Sequence, residues 1–148
     1  MNSPDYCECV TFFLLSNGRV LAEKRRDDKP LDPGLTAIPG GHQDPGETLD
    51  EALTREVREE LGLEFGSSRY ICSLLHYAKA DPKQPRIAEV QRIHYYLIND
   101  WRGELRSLEA ASLEWIAIED VQEIDVEADR IALGELKRYL QFTSDPIL

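Results

Sequence analysis

The 148-residue chain carries 28 acidic side chains against 17 Lys and Arg, a formal net charge of -11. With 42% hydrophobic and 30% charged residues it reads as one globular domain over residues 1–148, long enough to bury a core. The charge argues against a nucleic-acid polymer as partner, since a phosphate backbone selects basic surfaces. No run of about 18 apolar residues is present to span a membrane.

The first ten residues, MNSPDYCECV, have neither a basic start nor a signal-type apolar segment, which predicts a cytoplasmic protein. Three cysteines, Cys7, Cys9 and Cys72, make a poor disulfide framework. Strand alternation would put Cys7 and Cys9 on one face. A metal site there needs further ligands, and none is evident nearby in sequence, so the expectation is small buried hydrophobes.

Tyr6 to Ser16 is rich in β-branched and aromatic residues and predicts a strand. Asn17-Gly18 signals a hairpin, and Arg19 to Arg26 returns as the second strand. The polar, proline-bearing DDKPLDPG of Asp27 to Gly34 is a loop. Leu35 to Ile38 is a short strand stopped by Pro39-Gly40-Gly41, and a loop follows to Glu47. Thr48-Leu49-Asp50-Glu51 fits a capping box that opens a helix, and Gly62 suits its end. Arg69 to Ala78 and Ile87 to Asn99 predict long strands joined through DPKQPR. Leu113 to Ile116 predicts another strand. Ala128 to Phe142 predicts a closing helix that buries Ile131, Leu136, Tyr139 and Leu140. The mixture suggests a sheet covered by helices.

The first helix poses an electrostatic problem. Stepping about 100° per residue from Leu49, the apolar residues Leu49, Ala52, Leu53, Val57 and Leu61 span an arc from about 300° to about 120°. Glu60 falls near 20° and Glu56 near 340°, inside that arc, with Glu59 at its edge near 280°. Grouped, buried carboxylates repel and lose hydration. A divalent cation removes both penalties, and hard oxygen ligands favour Mg²⁺ or Mn²⁺. The alternative is a solvated acidic face with pairs such as Arg55–Glu59.

The upstream loop bears on that choice. From Gly41, five residues lead to Glu47 and seven more lead to Arg55-Glu56-Val57-Arg58-Glu59-Glu60-Leu61-Gly62-Leu63. This matches the Nudix box, G-x5-E-x7-R-E-U-x-E-E-x-G-U with U apolar, at every fixed position, and the chain resembles a Nudix hydrolase. Trp101 to Trp115, WRGELRSLEAASLEW, resembles the MutT branch, with an internal glutamate at Glu109. The KRR of Lys24 to Arg26 also sits at MutT-like spacing before the glycine pair.

The resemblance implies an α/β/α sandwich around a mixed sheet and Mg²⁺-dependent hydrolysis of a nucleoside diphosphate linked to another group. It implies that Glu56, Glu59 and Glu60 are metal ligands or the base that activates water, and that the Gly40 carbonyl is a further ligand. Arg55 and Glu47 become partners that orient the glutamates, and Gly41 and Glu47 are also expected among the substrate-binding residues. Glu109 is a candidate ligand or base from a second segment. Substitution at phosphorus demands positioning and charge neutralisation, which Mg²⁺ supplies along with a more acidic attacking water. Glu56 or Glu59 is the expected proton acceptor.

Arg26, with Arg25 in reserve, is the expected contact for the far phosphates, strand alternation sending one inward and the other outward. Asp129 could meet a base edge, or simply favour its helix N-terminus. Tyr77, Tyr95 or Tyr96 could stack on a base. His42 could line the site mouth, while neither His76 nor His94 has metal-ligand spacing. The expected substrate is a nucleoside triphosphate, an oxidised purine such as 8-oxo-dGTP among them, split into monophosphate and pyrophosphate. ADP-ribose or another dinucleotide-like diphosphate is the alternative, although the proline that often marks ADP-ribose enzymes about fifteen residues after the box is here Ala78. A non-catalytic binding module is the remote alternative, and the oligomeric state, monomer or homodimer, is left open.

Overall fold

A computed structural model describes residues 5–143. Eleven elements follow in order: β1 (Cys7–Phe13), β2 (Leu15–Ser16), β3 (Arg19–Lys24), β4 (Thr36–Ala37), β5 (Gly40–His42), α1 (Leu49–Leu61), β6 (Ser67–Ala78), β7 (Glu89–Asn99), β8 (Ser112–Ala117), a single 3-10 turn (Val121–Glu123) and α2 (Glu127–Phe142).

They form two four-stranded sheets. One has the order β5-β1-β7-β6 and is mixed, because β1 and β7 run parallel while its other pairs are antiparallel. The second is built on β3, which pairs with β2, β4 and β8. The predicted strand Tyr6 to Ser16 is therefore two strands in different sheets, broken at Leu14. Asn17 and Gly18 both have positive φ, 51° and 73°, the backbone that a two-residue hairpin turn matched to strand twist requires.

Alternation along β1 feeds two cores. Cys9 and Phe13 face one side, where Ile93, Tyr95 and Leu97 of β7 meet Ala132, Leu133 and Leu136 of α2. Val10, Phe12 and Leu14 face the other, where Tyr96 and Ile98 meet Ala52, Leu53, Val57 and Leu61 of α1. The helices thus cover opposite faces of the mixed sheet, the expected α/β/α layering. Each fully buried Phe or Leu in these layers contributes about 1.5–3 kcal/mol.

Three expectations are corrected. Ile131 is exposed: the buried Ala128, Ala132, Leu133 and Leu136 cover an arc of about 140°, and Ile131 lies about 60° outside it. Asp129 sits inside that arc and is itself buried. Gly40 to His42, expected as a stop and loop, is a strand on the free edge of β1.

Candidate active site

The helix that carries the acidic cluster is fixed at both ends. Thr48 Oγ1 accepts from the Glu51 N–H and Glu51 Oε1 accepts from the Thr48 N–H, both at 3.1 Å. Gly62 closes the helix at φ 71°, a conformation that favours glycine. Beyond it the chain folds back: the Arg106 N–H reaches the Leu61 carbonyl at 3.0 Å and the Leu108 N–H reaches the Glu60 carbonyl at 3.1 Å. Those bonds, with Trp101 stacked on Trp115, bring Glu109 from a distant segment to the helix.

α1 turns Glu56 inward, leaving it 7% exposed, with Glu60 half-buried and Glu59 exposed. The helical angles place Glu59 outermost, as found, but put Glu60 nearer than Glu56 to the centre of the apolar arc, whereas Glu56 is the more buried. Arg55 is a hub. Its Nε and Nη2 hold the Glu47 carboxylate at 2.7 and 2.8 Å. Its Nη1 donates to Glu56 at 2.8 Å and to Glu59 at 3.0 Å, and Nη2 also reaches the His42 carbonyl at 2.8 Å. One guanidinium therefore sets three carboxylates and the end of β5, using the planar fork that a lysine lacks. The Arg55 contact pulls the Glu47 carboxyl down to about 2.

Gly41 is demanded by the same packing. A Cβ there would overlap the Glu56 carboxylate, and one at Gly40 would strike the Val10 carbonyl and Thr11. The glycine pair lets β5 press against β1 on one side and the glutamates on the other.

Deeper in the cleft the carboxylates lack such partners. Glu23, from β3, is 3% exposed and lines the cleft with Glu56, Glu60 and Glu109. Burial pushes the Glu60 carboxyl up, helped by repulsion from Glu23, Glu56 and Glu109. Burial likewise raises Glu23, opposed by Arg25 at 3.7 Å. Burial raises Glu56 as well, with the Arg55 hydrogen bond opposing it. Buried, mutually repelling oxygens beside open space suit a hard divalent cation, so the donor set fits Mg²⁺ or Mn²⁺.

Other sequence-derived residues fall as follows. Gly40, Gly41, His42, Glu56, Glu59, Glu60, Glu109 and Asp129 all line the cleft. Glu109 is half-exposed and pairs with Lys29 at 3.3 Å. Arg26 does not line the cleft; its exposed guanidinium is paired with Asp28. Its reserve, Arg25, does line the cleft, held by hydrogen bonds to the Leu31 and Asp32 carbonyls. β3 ends at Lys24, so these loop bonds, not strand alternation, choose which arginine turns inward. Asp129 is committed within the protein: it accepts from the Ile38 N–H at 2.8 Å and from the Tyr95 hydroxyl at 2.7 Å. Burial pushes its carboxyl up to about 6 against those two bonds. None of the three tyrosines lines the cleft: Tyr95 and Tyr96 are buried in opposite cores and Tyr77 is exposed.

Sequence reasoning missed Glu23, Lys29, Asp32, His76 and Gln91, all of which line the cleft. Glu23 had a weak signal, an acidic residue directly after the apolar run Val20-Leu21-Ala22 at the head of the charged stretch Glu23 to Asp28. The Asp32–His76 pair, 2.6 Å apart, joins residues 44 apart in sequence, and nothing local marks it.

Against known proteins, a family profile described as NUDIX domain matches residues 7–136. Nucleoside triphosphatase NudI of Enterobacter sp. (strain 638) is 51% identical over 47 residues, 32% of this chain and 33% of that protein. The chain thus spans about a third of the length of the curated relatives it matches. A MutT NUDIX hydrolase from Burkholderia pseudomallei superposes with a TM-score of 0.74 at 27% identity, covering 89% of this chain and 98% of that one. The NUDIX domain of Shewanella oneidensis NrtR, solved with ADP ribose, shares the fold at a TM-score of 0.64 and 17% identity, over 93% of this chain and 90% of that one.

Proposed function

The chain belongs to the Nudix family of pyrophosphohydrolases, and from that premise we propose that it hydrolyses a nucleoside triphosphate to the monophosphate and pyrophosphate, with Mg²⁺ as cofactor. The observation that carries the chemistry is the gathering of Glu23, Glu56, Glu60 and the half-exposed Glu109 around one cleft, where the other three raise the Glu60 carboxyl by repulsion. The triphosphate is favoured by the match to a nucleoside triphosphatase and by the MutT-like stretch from Trp101 to Trp115.

In this reading Glu56, Glu60, Glu109 and the Gly40 carbonyl hold the cation, with Glu59 and Glu23 at its margin. When bound, the cation neutralises phosphate charge and acidifies the attacking water. Glu56 is the proposed general base. Its carboxylate is aimed by Arg55 at 2.8 Å, and burial raises its proton affinity above that of a free carboxylate, the direction that favours a general base. Arg55 and Glu47 act as a positioning pair. Arg25 and Lys29, the arginine and lysine lining the cleft among the described residues, take the far phosphates. His76, held by Asp32, and Gln91 offer polar contacts to the nucleoside end.

Among the described residues no helix is long and apolar enough to cross a membrane. The proposed setting is the cytoplasm, in keeping with Cys7, Cys9 and Cys72 as free thiols.

A Mg²⁺-dependent screen across normal and oxidised triphosphates, ADP-ribose and dinucleoside polyphosphates tests the proposal. Monophosphate plus pyrophosphate from a triphosphate supports it. Turnover confined to ADP-ribose or a dinucleotide would overturn the triphosphate assignment, and no turnover of any nucleotide would overturn the enzyme.

A further inference from the structure

Beside the cleft, three neighbouring strands bring together a side-chain set that the hydrolysis does not use. Cys7 lies on β1, His42 on β5 and Glu89 on β7, the two strands that flank β1. Cys9 pairs with His42 and Cys7 with Gln91, so alternation puts Cys7, His42 and Glu89 on one face of the sheet. The Cys7 thiol donates to Glu89 Oε1 at 3.0 Å. His42 Nε2 lies 2.8 Å from Glu89 Oε2. One donor atom from each residue lies within 4.8 Å of the others.

We propose that Cys7, His42 and Glu89 form a second metal site, selective for a thiophilic divalent cation of the zinc class and separate from the glutamate site.

Four features support it. The first is distance: with metal bonds of about 2.0–2.3 Å, tetrahedral sulfur, nitrogen and oxygen donors lie roughly 3.3–3.8 Å apart. The cluster reaches that spacing by small side-chain adjustments, replacing two hydrogen bonds by bonds to the ion. The second is charge: a thiolate, a carboxylate and a neutral imidazole make a neutral complex with a divalent cation, which a half-buried position tolerates. The third is orientation: the Gln91 side-chain amide donates to Glu89 Oε2 at 2.7 Å, as carboxylate ligands are commonly braced. The fourth is selectivity: sulfur and imidazole prefer zinc-class ions, whereas all-oxygen sets prefer Mg²⁺. Three protein ligands leave a fourth position for water or a small ligand. On binding, the Cys7 thiol proton leaves to solvent. Occupancy would cross-link β5 to β1 and β7, and β5 carries the glycine pair and the His42 carbonyl that receives Arg55.

Cobalt titration of the reduced full-length protein in excess Mg²⁺ tests this, because a cobalt–thiolate bond absorbs in the near ultraviolet and magnesium is silent. The expected result is a charge-transfer band that saturates at one equivalent and is displaced by Zn²⁺. It persists in Cys9→Ser and in Glu56→Gln. It is lost in Cys7→Ser, and apparent affinity falls by about tenfold or more in His42→Ala and Glu89→Gln. Should Cys7→Ser fail to fold, those last two variants carry the test. The absence of a band in the wild type, its survival in Cys7→Ser or unchanged affinity in both other variants would overturn the site. Loss of the band in Glu56→Gln would also overturn its separateness. None of these readouts depends on hydrolysis.

Discussion

The two ends of the acidic cleft treat the same functional group in opposite ways. At the outer end, Glu47, Glu56 and Glu59 share the Arg55 guanidinium, and Glu47 is held down to about 2. At the inner end, burial pushes up both Glu23 and Glu60, and the Glu23 charge adds to the rise of Glu60. Glu56 belongs to both ends: Arg55 steadies it, and burial still raises it. The difference separates two tasks that a plain count of glutamates merges. The outer end is a finished ion-pair network that fixes geometry. The inner end carries an electrostatic deficit that an added cation would relieve.

The largest expected effects come from breaking the inner end. Glu56→Gln and Glu60→Gln should each lower kcat by about 10²–10³-fold or more, with far-UV circular dichroism unchanged. Wild-type turnover in either purified variant would remove that residue from the machinery. Gly41→Ala comes next, since its Cβ would displace the Glu56 carboxylate. Steady-state kinetics should show a fall in kcat close to that of Glu56→Gln, although no ionisable group has changed. Breaking the outer end should do less: Arg55→Ala should reduce activity by about 10–100-fold and stability by about 1–3 kcal/mol. Kinetics and denaturant titration measure the two losses, and Arg55→Lys should recover only part of either.

A smaller effect sharpens the electrostatic contrast. Glu23 and Glu60 have folded proton affinities raised above the ordinary value of 4.5. Their contribution to stability is therefore fully present below that pH and is lost as pH rises through the raised values. Denaturant midpoints in a chelator should fall as pH goes from about 5 to about 9, and Glu60→Gln should flatten the decline. The smallest effect lies outside both ends: Thr48→Ala removes the helix cap at about 1 kcal/mol, read by thermal denaturation, with kcat unchanged.

The legibility of these regions in the sequence follows from the range of their contacts. α1 was readable in detail, because caps, apolar arc and inward glutamates all depend on residues within one helix. The Asn17-Gly18 hairpin was readable for the same reason. The inner end was half hidden: Glu60 showed itself through helical phase, whereas Glu23 joins it only through the second sheet. The choice between Arg25 and Arg26 was misread because the strand ends one residue too early for alternation to govern it. Cys7 and Cys9 were read as lacking nearby ligands, yet sheet order brings His42 and Glu89 to Cys7 from 35 and 82 residues away. Pairings of that range are set by topology, and local periodicity carries no trace of them.

The claim that the inner carboxylates await a cation is tested most directly by calorimetry of Mg²⁺ binding in buffers of different ionisation enthalpy. If those carboxyls hold protons at neutral pH before the ion arrives, Mg²⁺ binding releases protons, the observed heat varies with the buffer, and Glu60→Gln diminishes the release. A wild-type binding heat independent of buffer would contradict the account.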